Sequence, residues 1–251
     1  MPRVAVLCGT GMSSFATSLS KNPKSFDCMS VDSPWGPVPL SIVKIDNGEV
    51  IVIDRHYSSS ETRTPPHEIE HRANVHAAIS SNPDLIVSVN SVGAIRSDLE
   101  PGTVGVAGDI LDLATMAWTF HDDDAVHADR TTIFDERASK ICATTIKSIQ
   151  QTAPTGLIVA QCVGPQFESP AEIDALEKLG ADVVGMTLGP ESRLISETGF
   201  AYVGLPCSSN WAAGRMPGNP MAPINHKEVD EMASKMRTII SLCIHSLLAA
   251  L

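Results

Sequence analysis

Val4-Ala5-Val6-Leu7-Cys8-Gly9-Thr10-Gly11 is the stretch from which the fold can be read. An unbroken apolar run is what a strand covered on both faces needs, whereas a half-exposed strand alternates. The glycines that follow let the backbone turn sharply and bring N–H groups towards an anion. Taken alone, they fit an ordinary tight turn equally well.

The pattern recurs outward along the chain. Strand-length apolar runs stand at Val38–Ile45, Val50–Asp54, Leu85–Val89, Thr103–Val106, Leu157–Cys162, Val183–Met186 and Ala201–Leu205. Helical periodicity fills the intervals. His67–Ser80 is one such segment. Ser169-Pro170-Ala171-Glu172 carries a capping box with proline at the first helical position, and Gly180 is placed to stop that helix. Another helix begins near Pro190 and stops near Gly199, and a last one runs from about His226 to the end, with Val229, Met232, Met236, Ile240, Cys243 and Leu247 in its apolar stripe. Strands alternating with helices imply an α/β sandwich around a central, mostly parallel or mixed sheet, with residues 1–251 as a single domain. Trp211–Pro223 and His121–Asp129 read as long loops, which are often functional.

Composition excludes several classes. The net charge of −11 repels a nucleic-acid backbone, and an anionic substrate therefore needs a local positive site. The six cysteines are scattered without metal-ligand spacing, which implies reduced thiols, no metal and a cytoplasmic protein. No apolar run is long enough to span a membrane. His121-Asp122-Asp123-Asp124 with His127 reads as a solvated acidic loop. The dinucleotide fingerprint fails at Ser14, where its third glycine should be.

The polar residues that remain fall where strands end, the usual place for ligands in open α/β sheets. Arg55-His56 closes one run. Arg supplies a planar fork and His a further donor, which suits an oxyanion, although a solvated strand end fits the same residues. Asn90-Ser91-Val92-Gly93, Gly185-Met186-Thr187 and Ser208-Ser209-Asn210 close three more. Gly164-Pro165-Gln166-Phe167-Glu168 offers an aromatic face and a carboxylate; core packing and a helix-start charge are their plainer readings.

These blocks, in this order, resemble the trimeric purine nucleoside phosphorylase and methylthioadenosine phosphorylase family. The most specific are Gly9-Thr10-Gly11, Arg55-His56, Pro65-Pro66-His67 with Arg72-Ala73-Asn74, Val89–Gly93, Gly164–Glu168 and Gly180–Thr187 with Pro190-Glu191. The resemblance implies phosphate held by Thr10, Arg55, His56 and Thr187, with the backbone at Ser91 contributing. It places Met186 under a ribose, and Phe167, Glu168 and Asn210 around a base. Catalysis would rest on Asn210, Glu168 and His56. It implies no cofactor, with inorganic phosphate as co-substrate, and a homotrimer or a dimer of trimers.

Subgroup follows from chemistry. Members that prefer 6-aminopurines carry aspartate where this chain has Asn210, and methylthioadenosine enzymes commonly have a small residue in place of Glu168. A neutral amide can serve a 6-oxo edge, and Glu168 can accept the ring N–H beside it. His226, in Asn225-His226-Lys227-Glu228-Val229, resembles the histidine that meets a 5′-hydroxyl, although a surface histidine at a helix start fits too. Asn210-Trp211-Ala212-Ala213-Gly214 looks like a subgroup acting on methylthioinosine. The expectation is phosphorolysis of inosine, guanosine or methylthioinosine. The alternatives are methylthioadenosine phosphorolysis and an inactive nucleoside-binding module. One departure stands out: Tyr57 follows Arg55-His56, the loop Ser58–Thr64 is longer than in relatives, and Arg63 is available where a histidine is often found.

Overall fold

The computed structural model describes residues 1–12, 14–19, 26–45, 48–60, 62–114 and 116–251. Strand β1 (Arg3–Cys8) lies in the middle of the sheet, parallel to β4 (Gly48–Asp54) on one side and to β5 (Leu85–Ala94) on the other. An antiparallel ribbon, β2 (Phe26–Val31) with β3 (Val38–Ile45), extends the sheet beyond β4. On the other flank β5 carries β9 (Tyr202–Trp211) in parallel and meets β8 (Val183–Gly185) antiparallel at its far end. From β8 the sheet runs on through β7 (Leu157–Gln161) to β6 (Ala107–Asp112), both parallel. The sheet is mixed and nine-stranded among the described residues.

Alternation along β1 divides the core into layers. Val4, Val6 and Cys8 point to one side, among α1 (Phe15–Leu19), α3 (Glu136–Gln150) and α7 (Arg237–Ala250). Ala5 and Leu7 point to the other, among α2 (His71–Ser80) and α5 (Leu188–Ser196). Both faces are therefore apolar, as the uninterrupted run required. A third cluster gathers Ile173 of α4 (Pro170–Lys178) with Ala160, Val184 and Ile95. Each buried Val, Leu or Ile in these layers contributes about 1.5–3 kcal/mol.

Local signals account for several boundaries. Ser169 and Glu172 close the capping box that starts α4, and Gly180 ends the segment at φ 95°. The structure departs from expectation elsewhere. Thr103–Val106 is not a strand, although Val104 makes an isolated bridge to Cys207; the strand follows it, at Ala107–Asp112. His67–Ser80 divides into a short 3-10 turn, Pro66–Glu68, and α2. The last helix is two, α6 (His226–Lys235) and α7, which meet at Met236. Asn90–Gly93 and Ser208–Asn210 are not turns after strands but the far halves of β5 and β9, with a bulge between Val92 and Gly93 in their pairing. The bulge bends the pair where β8 attaches, and side chains from both strands turn into one cavity.

The first turn after β1 is held by the end of the chain. The N–H of Gly11 donates to Asp230 of α6 at 2.7 Å, and Arg237 of α7 donates to its carbonyl. Gly11 has φ 75°, and a Cβ there would lie 2.5 Å from that of Ala233, so only glycine fits.

Candidate active site

A cavity of about 650 Å³ opens where β1, β4, β5, β8 and β9 end or bend. Every residue expected in the site lines it: Thr10, Arg55, His56, Ser91, Phe167, Glu168, Met186, Thr187, Asn210 and His226. Arg63 and Asp230 stand in its wall too.

Its deep end is built around Arg55, which is 3% exposed and leaves β4 beside the glycine turn. The planar fork read from the sequence does not face the cavity. It grips Glu191 of α5, Nε to Oε1 at 2.6 Å and Nη2 to Oε2 at 3.2 Å, while Nη1 and Nη2 also donate to the carbonyls of Val89 and Leu7. The remaining N–H, on Nη1, stands against Gly9, where a Cβ would come within 2.7 Å of that nitrogen. Burial acts to depress the guanidinium, but the charge and hydrogen bonds of Glu191 outweigh it and hold the group charged. Glu191 is fully buried, and its second oxygen also accepts from Ser88, to which Tyr202 donates in turn. A buried pair survives when its spare hydrogen-bonding capacity is met in this way.

His56 differs from the sequence reading too. Its Nδ1 lies 2.8 Å from the Thr64 carbonyl, which can only accept, so Nδ1 carries the proton. Burial lowers its pKa to about 4, with the charges of Arg55 and Arg63 adding to the effect. The ring is therefore neutral near pH 7, and its Nε2, beside Gly9, is an acceptor. The loop from Ser58 to Thr64 supplies the carbonyl that fixes this tautomer; Glu61 within it lies outside the described residues. Arg63 pairs with Asp54 at 2.7 Å. The local positive charge expected from the sequence is thus largely neutralised by Glu191 and Asp54. What remains at this end is a set of oriented dipoles.

Thr187 belongs to that set. Its Oγ1 accepts from Asn90 Nδ2 at 2.7 Å and makes no helix cap, so its own proton is unspent. The Gly11 N–H, expected to point at an anion, is taken by Asp230.

The outer end is more open. Met186 follows β8 and packs beneath Gly164, where a Cβ would meet its sulfur at 2.5 Å. Phe167 is 37% exposed. Glu168 is half-buried, and burial pushes its carboxyl above the usual range, partly offset by hydrogen bonds from its own backbone and the Cys162 thiol. Asn210 Nδ2 donates to the Trp211 carbonyl at 2.9 Å, and its Oδ1 accepts from Ser209 at 3.0 Å. His226 is the first residue of α6, which Asn225 caps.

Glu191, Ser88, Tyr202, Asn90 and Ser209 hold these side chains; Ser88 and Tyr202 stand outside every motif of the sequence, and the other three stand in motifs without a role assigned to them. The Pro190-Glu191 pair was visible as a motif; its partner across 136 residues was not. No cluster able to hold a metal ion occurs among the described residues.

The family model described as "Phosphorylase superfamily" matches residues 3–249. This chain belongs to the phosphorylase superfamily. Within it, the chain is 30% identical to a probable 6-oxopurine nucleoside phosphorylase of Thermococcus kodakarensis, over 96% of this chain and 90% of that protein. It is 32% identical to a probable S-methyl-5′-thioinosine phosphorylase of Methanopyrus kandleri, over 97% and 92%. The fold matches methylthioadenosine phosphorylase from Schistosoma mansoni in complex with adenine, with a TM-score of 0.86 at 20% identity, covering 100% of this chain and 91% of that one. The superfamily fold is thus shared with proteins whose names differ in the base they act on.

Proposed function

We propose that this phosphorylase cleaves 6-oxopurine nucleosides with inorganic phosphate, releasing the free base and ribose 1-phosphate, or methylthioribose 1-phosphate from methylthioinosine. The observation that carries the reading is the division of one cavity into a dipolar oxyanion end and a base end that offers Asn210 and Glu168. Thr10, Thr187, the backbone N–H at Ser91 and the free Arg55 N–H donate to phosphate. Neutral His56 accepts at Nε2 from the protonated oxygen of the phosphate. Met186 lies under the ribose, Phe167 flanks the base, and His226 meets the 5′ substituent.

Phosphate attacks the anomeric carbon as the bond to the base breaks. Positive charge grows on the sugar and negative charge on the leaving purine. The phosphate stabilises the first. Asn210 donates to the imidazole ring nitrogen, and Glu168 accepts the N–H of the other ring. This is preorganised electrostatic stabilisation, with no covalent enzyme intermediate. The elevated Glu168 carboxyl fits the role, because a ring N–H compensates the burial that raises it.

Residues 1–251 act as a single domain, assembled as a homotrimer or a dimer of trimers in the cytoplasm. No helix among the described residues is long and apolar enough to cross a membrane. The test is chromatography of products from inosine, guanosine and methylthioinosine with and without phosphate. Base release that requires phosphate is expected; release at the same rate without it identifies a hydrolase and overturns the proposal.

A further inference from the structure

An amide at the edge of a base can face it either way round. With nitrogen outward it donates to a carbonyl or ring nitrogen; with oxygen outward it accepts from an amino group. The chain sets this choice for Asn210 with two neighbours. The Trp211 carbonyl takes one N–H of Nδ2 at 2.9 Å. Ser209 Oγ, on a residue 4% exposed, lies 3.0 Å from Oδ1 and 3.2 Å from the Val92 carbonyl. Ser91 spends its own proton on Ser209 Oγ at 2.6 Å, so the Ser209 proton must go onward. Asn210 keeps one unspent N–H at the cavity wall.

We propose that Ser209 is the positioning residue that sets the base preference of the cavity, by tying down the Asn210 oxygen so that only an amide N–H is offered to the purine. A 6-oxopurine presents acceptors to that N–H. A 6-aminopurine keeps the ring-nitrogen acceptor but sets an amino donor beside it, where the 6-oxo oxygen would have been a second acceptor. Without the Ser209 hydroxyl, Oδ1 loses its donor, and only the Nδ2 bond to the Trp211 carbonyl still opposes its turning towards an amino group. The inference rests on the 6-oxopurine reading above, and it assigns the discrimination to a pair of residues rather than to Asn210 alone.

The test compares kcat/KM for inosine and adenosine at saturating phosphate, with enzyme in excess so that slow substrates are read. Ser209→Ala should lower the inosine-to-adenosine ratio about tenfold, the range of one hydrogen bond's net worth. A merely structural role would lower both values in proportion and leave the ratio alone. Asn210→Asp serves as the control and should move the ratio in the same direction. If Asn210→Asp shifts the ratio while Ser209→Ala leaves it within twofold of the parent, the base-edge reading stands and the role of Ser209 falls. If neither shifts it, the base-edge reading is wrong and the inference goes with it.

Discussion

The Arg55 end and the Phe167 end of the cavity are built on opposite principles. Around Arg55, side chains are spent on one another: Tyr202, Ser88, Glu191 and Arg55 form one buried chain that ends on the carbonyls of Leu7 and Val89. Around Phe167, side chains stand at the rim, half-exposed and answerable to few neighbours. The end assigned to phosphate serves every substrate of a phosphorylase and is part of the core. The end assigned to base and 5′ substituent stands at the rim, and it can change without disturbing the core. Stability and specificity are thereby separated within a single pocket.

The contrast breaks most severely at Glu191. Glu191→Ala leaves a fully buried guanidinium without its counter-charge, and such a loss costs about 3–5 kcal/mol. Urea denaturation should show that loss, together with a phosphate KM that rises much more than the nucleoside KM. A variant as stable as the parent would mean that the buried end is not the keystone described here.

Lowering the pH sharpens the contrast with a smaller effect. An unfolded histidine takes up a proton below about pH 6.5, whereas folded His56 does so only near pH 4. The contribution is therefore complete above the first value and is lost as pH falls towards the second. By pH 5 the loss from His56 amounts to about 2 kcal/mol. His71, lowered to about 3 by burial, acts in the same direction. Denaturation at pH 7 and pH 5 checks this, and His56→Asn should reduce the difference. An unchanged slope in that variant would refute the burial argument.

The smallest effect belongs to the rim. His226→Leu should leave stability within about 0.5 kcal/mol, as exposed substitutions do. It should alter the ratio of kcat/KM for inosine and methylthioinosine by several-fold, favouring the methylthio substrate. An unchanged ratio would remove His226 from the 5′ subsite.

What the sequence made legible follows the same division. Buried strands announce themselves, because a run covered on both faces has to be apolar throughout; β3 has the bounds its residues suggested. Strand β2, mostly exposed as Phe26–Val31, carries no such signature. Helix α3 did have a signal, in Asp135 as its cap and Ala138, Cys142 and Ile146 at spacings of four, but polar residues around them masked it. The break at Met236 has neither glycine nor proline to mark it. Residue types at the cavity were readable, whereas their commitments were not. Nothing local to Arg55 says that its fork is taken by a glutamate far along the chain, or that the carbonyl of Thr64 fixes the proton on His56.

The grip on Gly11 bears on how the molecule folds. The two groups that hold that residue, Asp230 and Arg237, stand 219 and 226 positions further along the chain. Contacts between such distant positions carry a loop-closure cost that must be met before they reward it, and they form slowly for that reason. The turn beside Thr10 therefore takes its final shape only once α6 and α7 have docked on the sheet.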